Sequence, residues 1–453
     1  MTIHHSTKYS VLIPILGSFL SSCASSDIDA PAQAIPSLPT PFIGEKKVVE
    51  TPKEQAVAIV ANSQFYAQNQ IYKEIADGVA SRGALSSEYF LQSTRFSHEA
   101  FRRTILPQIT PSASVDDEGN FIGRLQIEQV IFDGGRFKAG NRVLDAEQAI
   151  AFADYAIQYN ERVGTAIDAY LRQDMHNALT EISHGITERY NSLQSKAKRR
   201  ISGGIGSKAE LSLFELKQFE AETEASRDIA EADAARLELQ QLIGKNIDTA
   251  PPLIELESNQ NVVAPVVARA LAESKRAAGE LYAERAETLP RLSLRGSVGT
   301  GTNQGLGFDD RVNSFTAGFG LSRPLTWGRD YGLKAASAEA KAAKAEVEEA
   351  KRDAEVQLKT LDLRIANLTA QLFKSNTLLI QSQQRVASFE KQFLSGNASI
   401  VEAVGIIDTY KRIARNKVET RFALLTAQRE KIQLLGLLGP YETAATVSNK
   451  KGH

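Results

Sequence analysis

The distribution of proline is the strongest constraint on the fold of this chain. Proline is absent from two long stretches, between Pro111 and Pro251 and between Pro324 and Pro440. Because proline removes a helical hydrogen bond and clashes with the preceding turn, long unbroken helices require such stretches. Both are also rich in Ala, Glu, Gln and Lys, which favour helix. The chain is therefore predicted to contain two regions of very long helices.

The two proline-free regions belong to an internal duplication. Four passages of the first half match passages of the second: "LPQIT" (106–110) and "LPRLS" (289–293), "DGGR" (133–136) and "TWGR" (326–329), "GGIGSKAE" (203–210) and "SGNASIVE" (395–402), "QLIG" (241–244) and "GLLG" (436–439). The pairs occur in the same order at nearly constant separation, which indicates repeats rather than coincidence. We predict a first repeat over 53–250, with a helix, a β-hairpin and a long helical hairpin, and a second repeat over 251–440.

Apolar and polar residues alternate in the segments that follow the LP dipeptides. Such period-two alternation is typical of strands with one apolar and one polar face. The segments predict four strands in two hairpins, joined by the loops "DDEGN" and "GTNQGLGFDDR". Six residues are predicted on the polar face: Arg124, Gln126, Glu128, Ser293, Arg295 and Ser314.

The period then changes to that of a helix. Apolar positions recur every three or four residues, as in the run from Val347 to Leu372, and many of them are Ala, which permits close helix packing. We predict long helices over 140–200 and 331–394 and returning helices over 211–243 and 400–438. Each long helix would extend roughly 90 Å at 1.5 Å per residue. The fold class is mainly α with a small β part.

The N-terminus has the pattern of a processed bacterial lipoprotein. The apolar run Val11–Leu20 has the length of a secretory core, and "LSSC" ends on the only cysteine, Cys23. We predict a signal peptide over 1–22, acylation at Cys23 and a Pro-rich tether over 23–52. The alternative is a chance cysteine beside an ordinary cleavage site. Residues 441–453 are predicted to be a polar tail.

A sheet of two hairpins has open edges and one apolar face, which is an aggregation hazard if it stands alone. Closure with copies from other chains removes this hazard, with the apolar face outward and the polar face inward. Three chains would supply 12 strands, within the range of outer-membrane barrels. The six polar-face residues would then line the lumen of the barrel, and the helices would continue the wall as a coiled-coil tube.

These features resemble the TolC-type outer-membrane efflux and secretion channels, specifically their acylated members. The resemblance covers about residues 53–440 and rests on the LP strand openings, "FDGGR" at 132–136, the paired helix turns and "ARLELQQLIG" at 235–244. It implies a homotrimer whose 12-stranded barrel lies in outer-membrane lipid and whose helical barrel extends into the periplasm. It also implies two partners: a periplasmic adaptor and an inner-membrane pump of the resistance-nodulation-division or ABC type.

The turns at the far ends of the helical hairpins are candidate docking sites for the adaptor, by the same resemblance. The candidate residues are Gly203, Gly204, Gly206, Ser207, Gly396 and Ser399. The alternative is ordinary turn chemistry, in which glycine reverses the chain and Ser207 and Ser399 cap the returning helices.

Four charged residues near these turns are candidates for a periplasmic gate: Glu402, Glu210, Arg200 and Arg385. Glu402 matches a position where the family carries acidic residues at the channel entrance, and threefold symmetry would make it a carboxylate ring. The alternative for Glu402 is a capping box with Ser399. The sequence departs from the family one turn later, where Gly405 replaces a second acid. Arg200 and Arg385 either form ion pairs across hairpins or lie on solvated helix faces.

The sequence contains no recognisable enzyme site. A single cysteine excludes an internal disulfide and a multi-cysteine metal site, and the histidines lack partners at metal-binding spacing. No cofactor is expected, and 53 basic against 54 acidic residues give no field for nucleic acid. The expected function is a passive export conduit for small molecules, with type I protein secretion as the alternative. A coiled-coil scaffold lipoprotein without a pore is the further alternative, and Trp327 is either an interfacial anchor or a packing residue.

Overall fold

The computed structural model describes residues 62–83, 85–115, 121–203, 208–252, 263–302, 311–323, 327–394 and 399–440. The predictions for the signal peptide, Cys23, the tether over 23–52 and the tail over 441–453 lie outside the described residues. So do those for Gly204, Gly206, Ser207 and Gly396.

Helices and strands follow one another in an order that occurs twice. After helical residues 62–68, the first half contains α1 (Gln70–Ser81), α2 (Ser86–Arg102), β1 (Gln108–Val115), β2 (Phe121–Phe132), α3 (Arg136–Ser202) and α4 (Lys208–Ile243). The second half contains α5 (Pro265–Glu287), β3 (Arg291–Thr302), β4 (Arg311–Ser322), α6 (Arg329–Leu394) and α7 (Ile400–Leu434). The mainly α fold class is confirmed, and the division at residue 250 stays a prediction.

The long helices begin earlier than their apolar period predicts. The helix α3 begins at Arg136 rather than at residue 140, α4 at Lys208 rather than at 211, and α6 at Arg329 rather than at 331. The long helices α3 and α6 contain 67 and 66 residues, which corresponds to roughly 100 Å each.

Glycine ends the returning helices in both halves. Gly244 and Gly436, the last residue of "QLIG" and the first of "GLLG", have φ of 81° and 74°. At the end of α7 the N–H of Leu437 donates to the carbonyl of Ile432 and that of Gly436 to Gln433, a Schellman motif. This motif ends α7 at Leu434, four residues before the predicted end, because a left-handed residue cannot continue the helix.

The helices pack laterally around α3. This helix contacts α4, α5 and α7, and α6 contacts α5 and α7. One apolar cluster contains Tyr72 and Tyr170 with residues of α1, α4 and α7, and a second lies near the helix tips with Tyr190, Phe214 and Phe393. The predicted seam of α6 is the less exposed side of this helix, in which Val347 is buried and Leu358 and Ile365 are partly buried.

The four strands form one antiparallel sheet in the order β1-β2-β3-β4. The two predicted hairpins are present, and β2 pairs with β3, so the sheet joins the two repeats. An irregularity between Val130 and Phe132 shifts the register at the end of β2. In this sheet β1 and β4 are the edge strands.

Candidate functional site

The register of the sheet brings all six predicted polar-face residues onto one face. Arg124 lies opposite Gly299, Glu128 opposite Arg295, and Ser314 opposite Gly299 on the other side of β3. Gln126 and Ser293 share this face by the period of two. Most of these side chains are accessible, but Ser293 is only 3% exposed and presents little surface in the single chain. Ile122 and Val130 are apolar exceptions on the same face.

Ionic and hydroxyl contacts cross the polar face. The Glu128 carboxylate lies 3.4 Å from Nη2 of Arg295 and 3.6 Å from Nη2 of Arg291. The hydroxyl groups of Ser297 and Thr316 are 2.7 Å apart. These ion pairs fix charged side chains on the polar face, and the Arg295 side chain is still more than half exposed.

The opposite face of the sheet is apolar and uncovered. Phe315, Phe319 and Leu321 on β4 are 74–75% exposed. The same face carries apolar side chains on the other strands: Ile109, Val115, Leu125, Ile127, Leu294 and Val298. Exposed apolar patches of this kind mark interaction or membrane surfaces. Trp327, just before α6, is fully exposed, and among the described residues no side chain packs over its ring.

The duplicated "GGR" and "WGR" passages meet at one point of the fold. Arg136 donates from Nη2 to the carbonyls of Glu287 and Leu289 at the end of α5. Arg329 also donates to the Glu287 carbonyl. Carbonyls at a helix C-terminus lack intrahelical partners, so both arginines satisfy them and fix the sheet on the helices. Gly135 and Gly328, with φ of 91° and 87°, make the turns that precede these arginines.

The helix tip at Ser399 has the geometry of a capping box. The N–H of Glu402 donates to Oγ of Ser399 at 3.2 Å, and the Glu402 carboxylate accepts from the N–H of Ser399 at 3.0 Å. The backbone hydrogen bond from Ser399 lowers the pKa of the Glu402 carboxyl group. The capping alternative for Glu402 is therefore present in the fold, and its role in a gate stays a proposal.

The other tip candidates occupy different environments. Arg200 donates to the carbonyl of Phe393 at 3.3 Å and lies 5.0 Å from the centre of its ring, so it links α3 to α6. Arg385 lies on an exposed face of α6. Gly203 ends α3 with φ of −86°, which any residue can adopt. Glu210 lies in the first turn of α4, and its side chain lies outside the described part of the structure.

Folding lowers the pKa of Glu402, so its contribution to the cap is present at neutral pH and is lost as pH falls through that lowered value. Ser399→Ala is expected to destabilise the first turn of α7 by about 1 kcal/mol. The protection of amides 400–403 against hydrogen exchange, measured relative to the unfolded chain at the same pH, should therefore fall in this variant, and in the native chain on acidification. Thr409→Ala, deeper in α7, is the control. Equal exchange at the first turn in all chains would contradict the capping role.

Three ion pairs connect α4 to α7 above these tips. We call them the α4–α7 ladder: Lys217–Asp408 at 3.3 Å, Glu224–Lys411 at 3.0 Å and Asp228–Arg415 at 2.8 Å. They lie on the tip-proximal part of the two returning helices and link these helices directly. The alternation and repeats of the sequence do not identify these partners.

Side chains of α3 complete the α4–α7 ladder. The Tyr190 hydroxyl donates a hydrogen bond to Asp408 at 2.9 Å. Burial raises the pKa of Tyr190, and the negative charge of Asp408 raises it further. Arg415 lies 3.3 Å from Oγ of Ser183, which is fully buried. His176 Nδ1 lies 3.2 Å from Asp228, whose side chain is 1% exposed. Asp228 thus has partners on α3 and on α7.

Two helices carry further apolar rows that the single chain leaves exposed. The exposed row on α6 lies outside the buried seam and consists of two pairs spaced seven residues apart: Val356 with Leu363, and Phe373 with Ile380. All four side chains are more than half exposed. On α4, Leu216, Phe219 and Leu237 are likewise exposed. Exposed apolar heptad positions predict packing against another helix.

Within the described ranges, no helix combines the length and the apolar composition needed to cross a membrane. In the same ranges, no three His, Cys, Asp or Glu side chains come together as a metal-binding group. Two of the histidines instead have helical neighbours, as His98 does with Asn141 at 3.2 Å.

The fold is that of the outer-membrane channels. The chain is similar to the Campylobacter jejuni CmeC outer membrane channel (TM-score 0.70, 11% identity, 85% of this chain and 89% of that one). It is also similar to the outer membrane protein VceC of Vibrio cholerae, with a TM-score of 0.72 and 16% identity over 84% of this chain and 99% of that one. The open MtrE outer membrane channel of Neisseria gonorrhoeae matches with a TM-score of 0.68 and 15% identity over 82% of this chain and 89% of that one. No curated protein sequence matches the chain.

Residues 261–437, from the approach to α5 to just beyond the end of α7, match the outer membrane efflux protein family. The family match therefore covers the second repeat, and the described chain has the fold of the outer-membrane channels. The resemblance to the TolC-type channels predicted from the repeats is confirmed.

Proposed function

We propose that this protein is the outer-membrane channel of a tripartite export system. Three copies form a closed 12-stranded barrel in the outer membrane, continued by a periplasmic helical barrel, and the conduit is passive. The observation that carries the proposal is the sheet, which has one polar face and one bare apolar face. Lipid outside and water inside require this arrangement, and a periplasmic scaffold has no use for it.

Symmetric association supplies partners for every unpaired surface described above. The edges of β1 and β4 pair between neighbouring subunits, which removes the open edges of the sheet. The exposed rows of α6 and α4, one on each flank of the helical wall, pack against each other across the same boundary. The exposed Trp327 then lies at the end of the barrel, where an indole ring suits the lipid interface.

We propose small-molecule efflux rather than protein secretion, because the second repeat matches a family described as efflux proteins. The proposed partners are a periplasmic adaptor, docked at the tips that include Gly203 and Ser399, and an inner-membrane pump. Acylated Cys23 would be a supplementary anchor, since the barrel itself is embedded. A strain that lacks the chain should become sensitive to toxic small molecules. Loss of one exported protein without such sensitivity would favour type I secretion.

The channel is tested by extracting the full chain from outer membranes in mild detergent. We expect trimers that dissociate only on heating and that conduct ions in planar bilayers. The Cys23→Ser chain should lose lipid labelling and keep both properties. An elongated monomer without conductance would overturn the channel and favour the scaffold. Unchanged cation selectivity of Glu402→Gln channels would exclude the proposed carboxylate ring while leaving the conduit intact.

A further inference from the structure

A cavity of about 540 Å³ lies where the sheet meets the helices. Its walls come from the end of α2, the start of α3, the end of α5 and the adjoining strand ends. The apolar lining includes Phe101, Ile105, Ile131 and Phe137. This volume is in the range of small-molecule sites, and polar or charged side chains make up about half of the lining.

The aromatic floor of the cavity depends on a glycine. The rings of Phe101 and Phe137 stack with centroids 5.4 Å apart and an angle of 9° between their planes. A Cβ atom at Gly140 would lie 2.3 Å from the Phe101 ring, so only glycine allows this ring to lie against α3. The floor is a flat apolar surface of the kind on which a ring system packs.

The strand register defines the side on which the cavity opens. Gln108, Val130 and Arg291 line it and belong to the polar face of the sheet. Arg291 also lies 3.6 Å from Glu128 on that face. If the polar face lines the lumen, as the proposed function states, the cavity is a recess in the channel wall just below the barrel.

The charge around the cavity favours an anion. Arg136 donates to the carbonyls of Asp133, Glu287 and Leu289, and no carboxylate of the described residues lies within 4.0 Å of its guanidinium. Among the described residues, Lys138 has no carboxylate within 4.0 Å. The lining carries three cationic side chains, Arg136, Lys138 and Arg291, against the two carboxylates of Asp133 and Glu287. The N–H groups of Gly135 and Phe137 donate to the Asp133 carboxylate at 2.8 and 2.6 Å and hold it in the turn before α3.

We propose that this cavity binds a small amphiphilic anion, with an aromatic body against Phe101 and Phe137 and a carboxylate or sulfonate group toward Lys138. Three equivalent sites would surround the conduit at the level where the helical barrel becomes the β-barrel. The proposal rests on the proposed function for its place in the channel, and it assigns that channel a preference among amphiphiles.

The test is calorimetric titration of the purified full chain in detergent with naphthalenesulfonate and with the cation naphthylmethylammonium. We expect saturable binding of the sulfonate at one site per chain and binding about tenfold weaker for the cation, as the loss of one charge-assisted contact predicts. Lys138→Gln should weaken sulfonate binding by about the same factor. Ala283→Phe, which fills the cavity, should abolish it.

Lys334→Gln is the matched control, because Lys334 is a lysine in the first turns of α6, outside the cavity. It should bind the sulfonate like the native chain. Trimer migration and circular dichroism establish that each variant is folded. A conducting native chain without saturable binding overturns the site and leaves the proposed function standing. Specific binding without conductance retains the site and overturns the channel, and equal affinity of both probes overturns the anion preference.

Discussion

Replacing Phe315 by arginine should abolish stable trimers in the outer membrane, whereas the same change at the adjacent Thr316 should preserve them. Phe315 is 75% exposed on the apolar face of β4, opposite Val298. Thr316 points to the polar face, with its hydroxyl 2.7 Å from that of Ser297. An arginine on the lipid face near the middle of the bilayer costs about 2–4 kcal/mol. A trimer meets this cost in each of its three subunits.

The two variants form a matched pair, because they place the same side chain at neighbouring positions of one strand. Heat-dependent migration of the outer-membrane fraction on gels and protease resistance in whole cells measure the outcome. Trimers in the Phe315→Arg chain and none in the Thr316→Arg chain would reverse the assignment of the faces. Equal tolerance of both changes would mean that the sheet does not contact lipid at all.

The faces of the sheet are predictable from sequence because a strand has a side-chain period of two. One alternation places Arg124, Gln126 and Glu128 together, whatever the strand pairs with. Pairing between β2 and β3 was not predicted, because it joins segments more than 150 residues apart and leaves no local pattern. The same holds for Arg136 and Arg329: the repeat identifies both residues, but only the fold shows that they share the carbonyl of Glu287.

Helix ends were predictable where local chemistry determines them. Ser399 and Glu402 have capping-box spacing, and the box forms. The apolar period alone starts α3 four residues late, since the first helical turn follows Gly135 directly and carries no seam. The ion pairs of the α4–α7 ladder cannot be predicted from the sequence. Its charges are ordinary on a helical surface, and their pairing depends on how three helices align along their length.

Among these contacts, Asp228 should have the largest effect on stability. Its side chain is almost fully buried, with Arg415 at 2.8 Å and His176 at 3.2 Å. Asp228→Ala leaves the guanidinium of Arg415, itself mostly buried, without its carboxylate. Breaking a buried pair in this way costs about 3–5 kcal/mol. We expect a clear fall in the thermal midpoint of the helical signal in circular dichroism.

A double variant distinguishes the loss of attraction between Asp228 and Arg415 from the cost of burying Arg415 without a partner. Asp228→Leu with Arg415→Met replaces both charges by apolar groups of similar volume, and such replacements are often neutral. The double variant should therefore recover most of the midpoint lost in Asp228→Ala. Glu348→Ala is the control, because its pair with Lys351 lies on an exposed face of α6 and should contribute nothing measurable. A thermal midpoint of Asp228→Ala no lower than that of Glu348→Ala would refute a stabilising role of the Asp228–Arg415 pair. The double variant could also recover the midpoint fully while its channels show higher conductance because the tips open more readily. That result would show that the charges keep α4 and α7 in register and do not determine the stability of the fold.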